Sequence, residues 1–145
     1  MTTIRHITVQ QAQQQQASGA TYIDVRSVPE FQQGHPEGAF NIPLLHLDPQ
    51  TRQMRPNPEF VSVVKGNFPP DATLVIGCQV GGRSQQACEV LSNAGFQDVA
   101  NVLGGYGGAP QMGHLGWAQA GLPVETEADK AREYEALQKK AAGSR

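Results

Sequence analysis

"IGCQVGGRSQQACEVL", residues 76–91, sets a cysteine between an apolar run and a glycine-rich turn that opens a helix. Upstream, "DATLVIGC" is a near-continuous apolar stretch, the pattern of a strand buried on both faces in a parallel sheet. Downstream of Ser84, residues Ala87, Val90, Leu91 and Ala94 recur at helical spacing, and Gly95 ends the helix. In open α/β sheets, ligands bind beyond the carboxyl ends of the strands, and Cys78 stands at that position.

The flanking sequence repeats the same alternation. Thr8 is an N-cap for a helix over Val9–Ala17, closed by Ser18-Gly19, with the glutamines of 10–16 on its solvent face. "TYIDV" (21–25) reads as a strand. Ser27 and Glu30 have capping-box spacing around a short helix that contains Pro29 and stops at Gly34. "GAFNIPL" is extended, residues 48–58 read as loop, and Phe60, Val63, Val64 and Phe68 mark another helix. "DVANVLGGY" is a further strand, followed by a glycine-rich excursion that runs to Trp117. The expectation is an α/β domain on a mainly parallel sheet. The last segment, "ETEADKAREYEALQKKAAGSR", is charged and helix-prone with a thin apolar stripe, as in an appended helix or tail.

The composition excludes several classes. A chain of 145 residues with 39% hydrophobic and 17% charged residues fits one globular domain. A net charge of −2 gives no footprint for nucleic acid or an anionic membrane. No run approaches a membrane span, and "MTTIRHITVQ" lacks the order of a secretory signal, so a cytoplasmic protein is expected. Cys78 and Cys88 are too few for a disulfide framework, and nine residues between them make neither a C-x-x-C pair nor a zinc signature. His6, His35, His46 and His114 form no ligand pair, so no metal or other cofactor is expected.

The turn itself suggests chemistry. Gly81 and Gly82 allow successive N–H groups to converge on one point, and the positive end of the following helix adds to that field. A sulfur at the centre of such a cup is held as thiolate. Arg83 is placed to anchor the loop or to add positive charge, and the alternative for Cys78 is a buried structural thiol beside an ordinary turn. Cys88 lies on the helix flank beside the apolar stripe and reads as structural. Ser84 reads as a helix cap rather than a catalytic hydroxyl.

"CQVGGRS" resembles the active-site loop of the rhodanese domain, in particular that of the single-domain sulfurtransferases. The resemblance continues in "YIDVRSVPEFQQGHPEGAFNIPL", "LSNAGFQDVANVLGGY" and "GWAQAGLPVE", and covers roughly residues 4–125. It implies a five-stranded, mainly parallel sheet flanked by helices on both faces, with a rhodanese domain over 1–125 and a charged helix or tail over 126–145. It also implies that Cys78 attacks a sulfane sulfur and carries it as a persulfide to an acceptor. The loop residues Gln79, Val80, Gly81, Gly82, Arg83 and Ser84 then supply the binding groups, and Asp24 steadies the loop. Arg26 either helps bind an anionic donor such as thiosulfate or pairs with an acidic neighbour. His35, Asn41 and Pro43 read as structural, and Trp117 as filling the core edge. Implied partners are a thiosulfate-like donor and a cyanide or thiol acceptor, with glutathione, thioredoxin or a sulfur-relay protein as candidate recipients, and neither nucleic acid nor membrane.

Two features set limits on this reading. Gly105 and Trp117 are twelve positions apart, about eight more than in compact members, so "YGGAPQMGHLG" (106–116) is expected at the rim of the site. Cys-loop phosphatases and arsenate reductases, the alternative enzyme reading, place five residues between cysteine and arginine, whereas four separate Cys78 from Arg83, a ring one residue smaller that should hold a sulfur but fit phosphate poorly. A non-catalytic interaction or sulfur-carrier module remains a competing reading, as does, more remotely, a redox pair of Cys78 and Cys88.

Overall fold

The computed structural model describes residues 4–80, 82–127 and 129–143. Five strands make the main sheet: β1 (Arg5–Ile7), β2 (Thr21–Asp24), β4 (Phe40–Asn41), β7 (Thr73–Gly77) and β8 (Asp98–Val102). Their order is β1-β8-β7-β2-β4, and every pair is parallel. The apolar run before Cys78 thus becomes the central strand β7, buried from Leu74 onward, as a strand covered on both faces must be.

Alternate residues of the strands feed two apolar layers. Ile23, Leu74, Ile76 and Val99 face α3 (Phe60–Asn67), α4 (Gly82–Asn93) and α5 (Tyr134–Gly143). Tyr22, Val75, Ala100 and Val102 face α1 (Val9–Ala17) and Trp117. Thr8 caps α1 through a capping box with Gln11, and Val9 and Ala12 are the residues this helix buries. The short α2 (Val28–Gln33) follows Ser27 and stops at Gly34, as the sequence predicts.

Three local differences from the sequence reading have physical causes. Residues 48–58 are not simply loop: β5 (Leu45–Leu47) and β6 (Met54–Pro56) pair as an antiparallel hairpin. Its turn is held by Asp48, whose Oδ1 accepts from the Gln50 amide at 2.9 Å, so side-chain bonding there does the work that an apolar face does elsewhere. A two-residue ladder joins β3 (His35–Pro36) to β9 (Val124–Glu125), elements too short to leave a periodic signal. Finally, α4 starts at Gly82 rather than near Ser84, so Ser84 is not its cap but lies inside its first turn, where its hydroxyl bonds Asn101 on β8 instead of a helix-end amide.

Candidate active site

Strand β7 ends at Gly77, and Cys78 lies directly beyond its carboxyl end, below the first turn of α4. The Ser84 amide donates to Cys78 Sγ at 3.3 Å, and the sulfur lies 3.4 Å from Ser84 Oγ. The amide is the kind of donor that favours a sulfur anion at a helix N-terminus, while the hydroxyl oxygen accepts from the thiol. Cys78 itself is 1 % exposed. Gly81 lies outside the described residues, so the loop is described by Gln79, Val80, Gly82, Arg83 and Ser84.

The chain after β8 fixes the base of the loop. Tyr106 N–H donates to Cys78 O at 2.7 Å, and Gly107 N–H to Gln79 O at 2.9 Å. Gly105 makes that approach possible: its φ is +54°, and a Cβ there would strike the Cys78 carbonyl.

Both arginines of the motif are matched by carboxylates. Arg26 and Asp24 are buried together, with Nη2 to Oδ2 at 2.7 Å, and Nη2 also reaches Gly34 O at 2.7 Å. Burial opposes the Arg26 charge, but Asp24 outweighs it and raises the guanidinium above its ordinary value. Arg26 Nη1 then donates to Gln79 Oε1 at 3.3 Å, and the guanidinium lies 4.4 Å from the Tyr106 ring centroid. Asp24 thus touches the loop only through Arg26 in these contacts. Arg83 pairs with Glu30 through two bonds of 2.8 and 3.0 Å.

The remaining singled-out residues are structural in their contacts. His35 is fully buried, stacks on Phe31 at 3.6 Å, and places Nδ1 2.7 Å from Phe31 O. Asn41 Nδ2 donates to Asp24 O and Arg26 O, tying β4 to the turn after β2. Trp117 is buried edge-on to Tyr22, with Nε1 donating to Pro123 O at 2.6 Å. Cys88 is fully buried, and its thiol is pushed up to about 12 by burial first and then by Cys78 and Glu89.

Sequence reasoning missed Asn101 and Tyr106. Asn101 is 2 % exposed on β8 and accepts from Ser84 Oγ at 2.5 Å. A polar residue inside the apolar run "DVANV" was the available signal.

Two recesses flank the loop. A polar one of ≈ 390 Å³ is lined by Arg26, Glu30, Gln79 and Tyr106. A larger groove of ≈ 550 Å³ lies between Val80, Gly82 and Gln85 on one side and Pro110, Met112 and His114 of the excursion on the other. The excursion closes on itself, with Ala109 N–H donating to His114 O at 2.9 Å and a 3-10 turn at Pro110–Met112. Val80 and Met112 are 56 % and 72 % exposed beside the groove.

Residues 8–108 match the family of the rhodanese-like domain. The chain is 38% identical over 108 residues to thiosulfate sulfurtransferase 16, chloroplastic, of Arabidopsis thaliana, covering 74% of this chain and 82% of that protein. It is 37% identical over 126 residues to thiosulfate sulfurtransferase 18 of the same plant, covering 86% and 85%. The crystal structure of Rv0390 from M. tuberculosis superposes with a TM-score of 0.70 at 26% identity, covering 84% of this chain and 97% of that one. With the five-stranded parallel sheet and the cysteine loop at its carboxyl edge, these matches make the chain a member of the rhodanese-like domain family.

Proposed function

We propose that the protein is a thiosulfate-type sulfurtransferase with Cys78 as the persulfide carrier. The observation that carries this reading is the Ser84 amide aimed at Cys78 Sγ from the first turn of α4. The Cys78 thiolate attacks the outer sulfur of thiosulfate; a new S–S bond forms, the donor's S–S bond breaks, and sulfite leaves with the electron pair. Cyanide or a thiolate then takes the terminal sulfur and returns the Cys78 thiolate. Thiolate and persulfide are both anionic, so the same donors serve each. Among the described residues Cys78 and Cys88 are thiols and not a disulfide, which suits a reducing compartment such as the cytoplasm, and glutathione, thioredoxin or a sulfur-relay protein would suit as recipient.

A sulfur-carrier role without small-donor turnover is favoured by two observations: Cys78 is 1 % exposed, and Arg26 and Arg83 are both paired with carboxylates. Intact mass after incubation with thiosulfate, together with sulfite release, separates these readings. Wild type and Cys88→Ser are expected to gain about 32 Da, one sulfur, while Cys78→Ser gains nothing. A gain retained in Cys78→Ser would remove Cys78 from the chemistry. With cyanide then added as acceptor, loading without repeated sulfite release would favour the carrier.

A further inference from the structure

The polar chain behind Cys78 reaches further than sulfur transfer itself requires. Ser84 Oγ–H donates to Asn101 Oδ1 at 2.5 Å, and the Cys78 thiol donates to Ser84 Oγ at 3.4 Å. Ser84 and Asn101 are both buried. Asn101 lies in register with His6 on β1, and its Nδ2 is 3.3 Å from Nδ1 of that exposed histidine.

A hydroxyl has one proton to give. With that proton committed to Asn101, Ser84 Oγ turns a lone pair toward the sulfur. Turned that way the hydroxyl suits a thiol; the Ser84 amide already donates to the sulfur, and a thiolate or persulfide gains a further donor only when the hydroxyl turns as well. We propose that Asn101 is a positioning residue for the reacting sulfur. Its amide oxygen draws the Ser84 proton away from the resting thiol. When the sulfur becomes anionic the amide turns, with Nδ2 toward Ser84 and Oδ1 toward His6 Nδ1–H, and the Ser84 proton swings to Sγ. His6 can complete either arrangement, because its Nδ1 accepts in one tautomer and donates in the other.

This rests on the reading of Cys78 as the reacting sulfur. The test is the rate of Cys78 alkylation by iodoacetamide at pH 6.5, read by peptide mass. Asn101→Leu and Asn101→Val remove the competing oxygen, so alkylation is expected to accelerate about five- to tenfold, the scale of about one hydrogen bond to the sulfur anion. In a Ser84→Ala background the same changes should move the rate less than about twofold, because the proton they release is absent. The isosteric Asn101→Asp keeps the shape but offers Ser84 only acceptors; it should slow alkylation about tenfold, mostly through Ser84. Acceleration that persists without Ser84, or a folded Asn101 variant that alkylates at the wild-type rate, overturns the assignment. Wild type that neither alkylates at Cys78 nor gains sulfur there defeats the functional reading instead.

Discussion

Glu30 serves two elements with one carboxylate. Its Oε1 accepts from Ser27 N–H at 3.1 Å and Ser27 Oγ–H at 2.8 Å, closing the first turn of α2, while both oxygens accept from Arg83 at the end of the cysteine loop. Burial pushes this carboxyl up, but the bonds from Arg83 and Ser27 outweigh it and bring the group to about 2. The folded value lies below the unfolded one of about 4.3, so the stabilisation is complete above that pH and is lost as pH falls toward 2. Glu30→Gln is expected to lower stability by about 1 kcal/mol at pH 7, a figure kept small because the pair is partly solvated. Urea midpoints at pH 7 and pH 3 check this: the gap between variant and wild type should be clearly smaller at pH 3. An equal gap at both would show that Glu30 acts by shape and not by charge. Cys88, a helix turn away in sequence from the loop, needs no such balance; burial keeps its thiol protonated and out of competition with Cys78.

The elements that the sequence announces are those whose own residues carry the signal. The β7–loop–α4 unit is legible because burial on both faces demands apolar "TLVIG" and because a glycine turn must follow it; α1 is legible from its cap. The β5–β6 hairpin is not, since β6 is exposed throughout and has no alternation to read. Tyr106 was equally hidden as a site residue, because its partner Arg26 is distant in sequence, while Asn101 showed only as a polar residue in an apolar run whose partner, Ser84, the sequence does not name. The excursion after β8 was readable as an insertion, and its placement against Val80 and Gly82 gives it a role to test. Deleting Ala109–His114 should leave the fold intact, because Ala109 and His114 already lie side by side as a bridged pair. The deletion removes one wall of the groove but no contact to Cys78. We therefore expect KM for the acceptor to change about three- to tenfold, or up to about 1.4 kcal/mol, with little change in single-turnover sulfur loading. Identical kinetics across cyanide and several thiols would reduce the excursion to surface decoration.

At the scale of the molecule, the C-terminal segment belongs to the same apolar layer as the sheet. Tyr134, Leu137 and Ala141 are buried against α3, and they sit in one cluster with Ile76 and Cys78. The two helices approach so closely that a Cβ on Gly66 would strike Ala141. Polar bonds lock the register: Asn67 Nδ2 donates to Leu137 O at 2.9 Å, and Asn57 Nδ2 to Tyr134 Oη at 3.1 Å. Before the helix, Arg132 bonds Glu125 at 2.6 Å and Ala39 O at 2.9 Å, while Glu125 also meets His35 and Gly38. The thin stripe in the sequence is enough because a ten-residue helix needs only three buried positions to cover Phe60, Val63 and Val64. A chain cut after Glu125 would expose that surface. Burying each large apolar side chain contributes about 1.5–3 kcal/mol, so losing Tyr134 and Leu137 alone removes a large part of the margin of a typical domain. Truncation is thus expected to lower the melting temperature by at least about 10 °C, with Leu137→Ala costing about 2–4 kcal/mol in the full chain. Both are read by thermal and urea unfolding. A truncated chain that melts at the wild-type temperature would make residues 126–145 a separable tail, and the shared apolar layer would then contribute nothing to the stability of the sheet that holds Cys78.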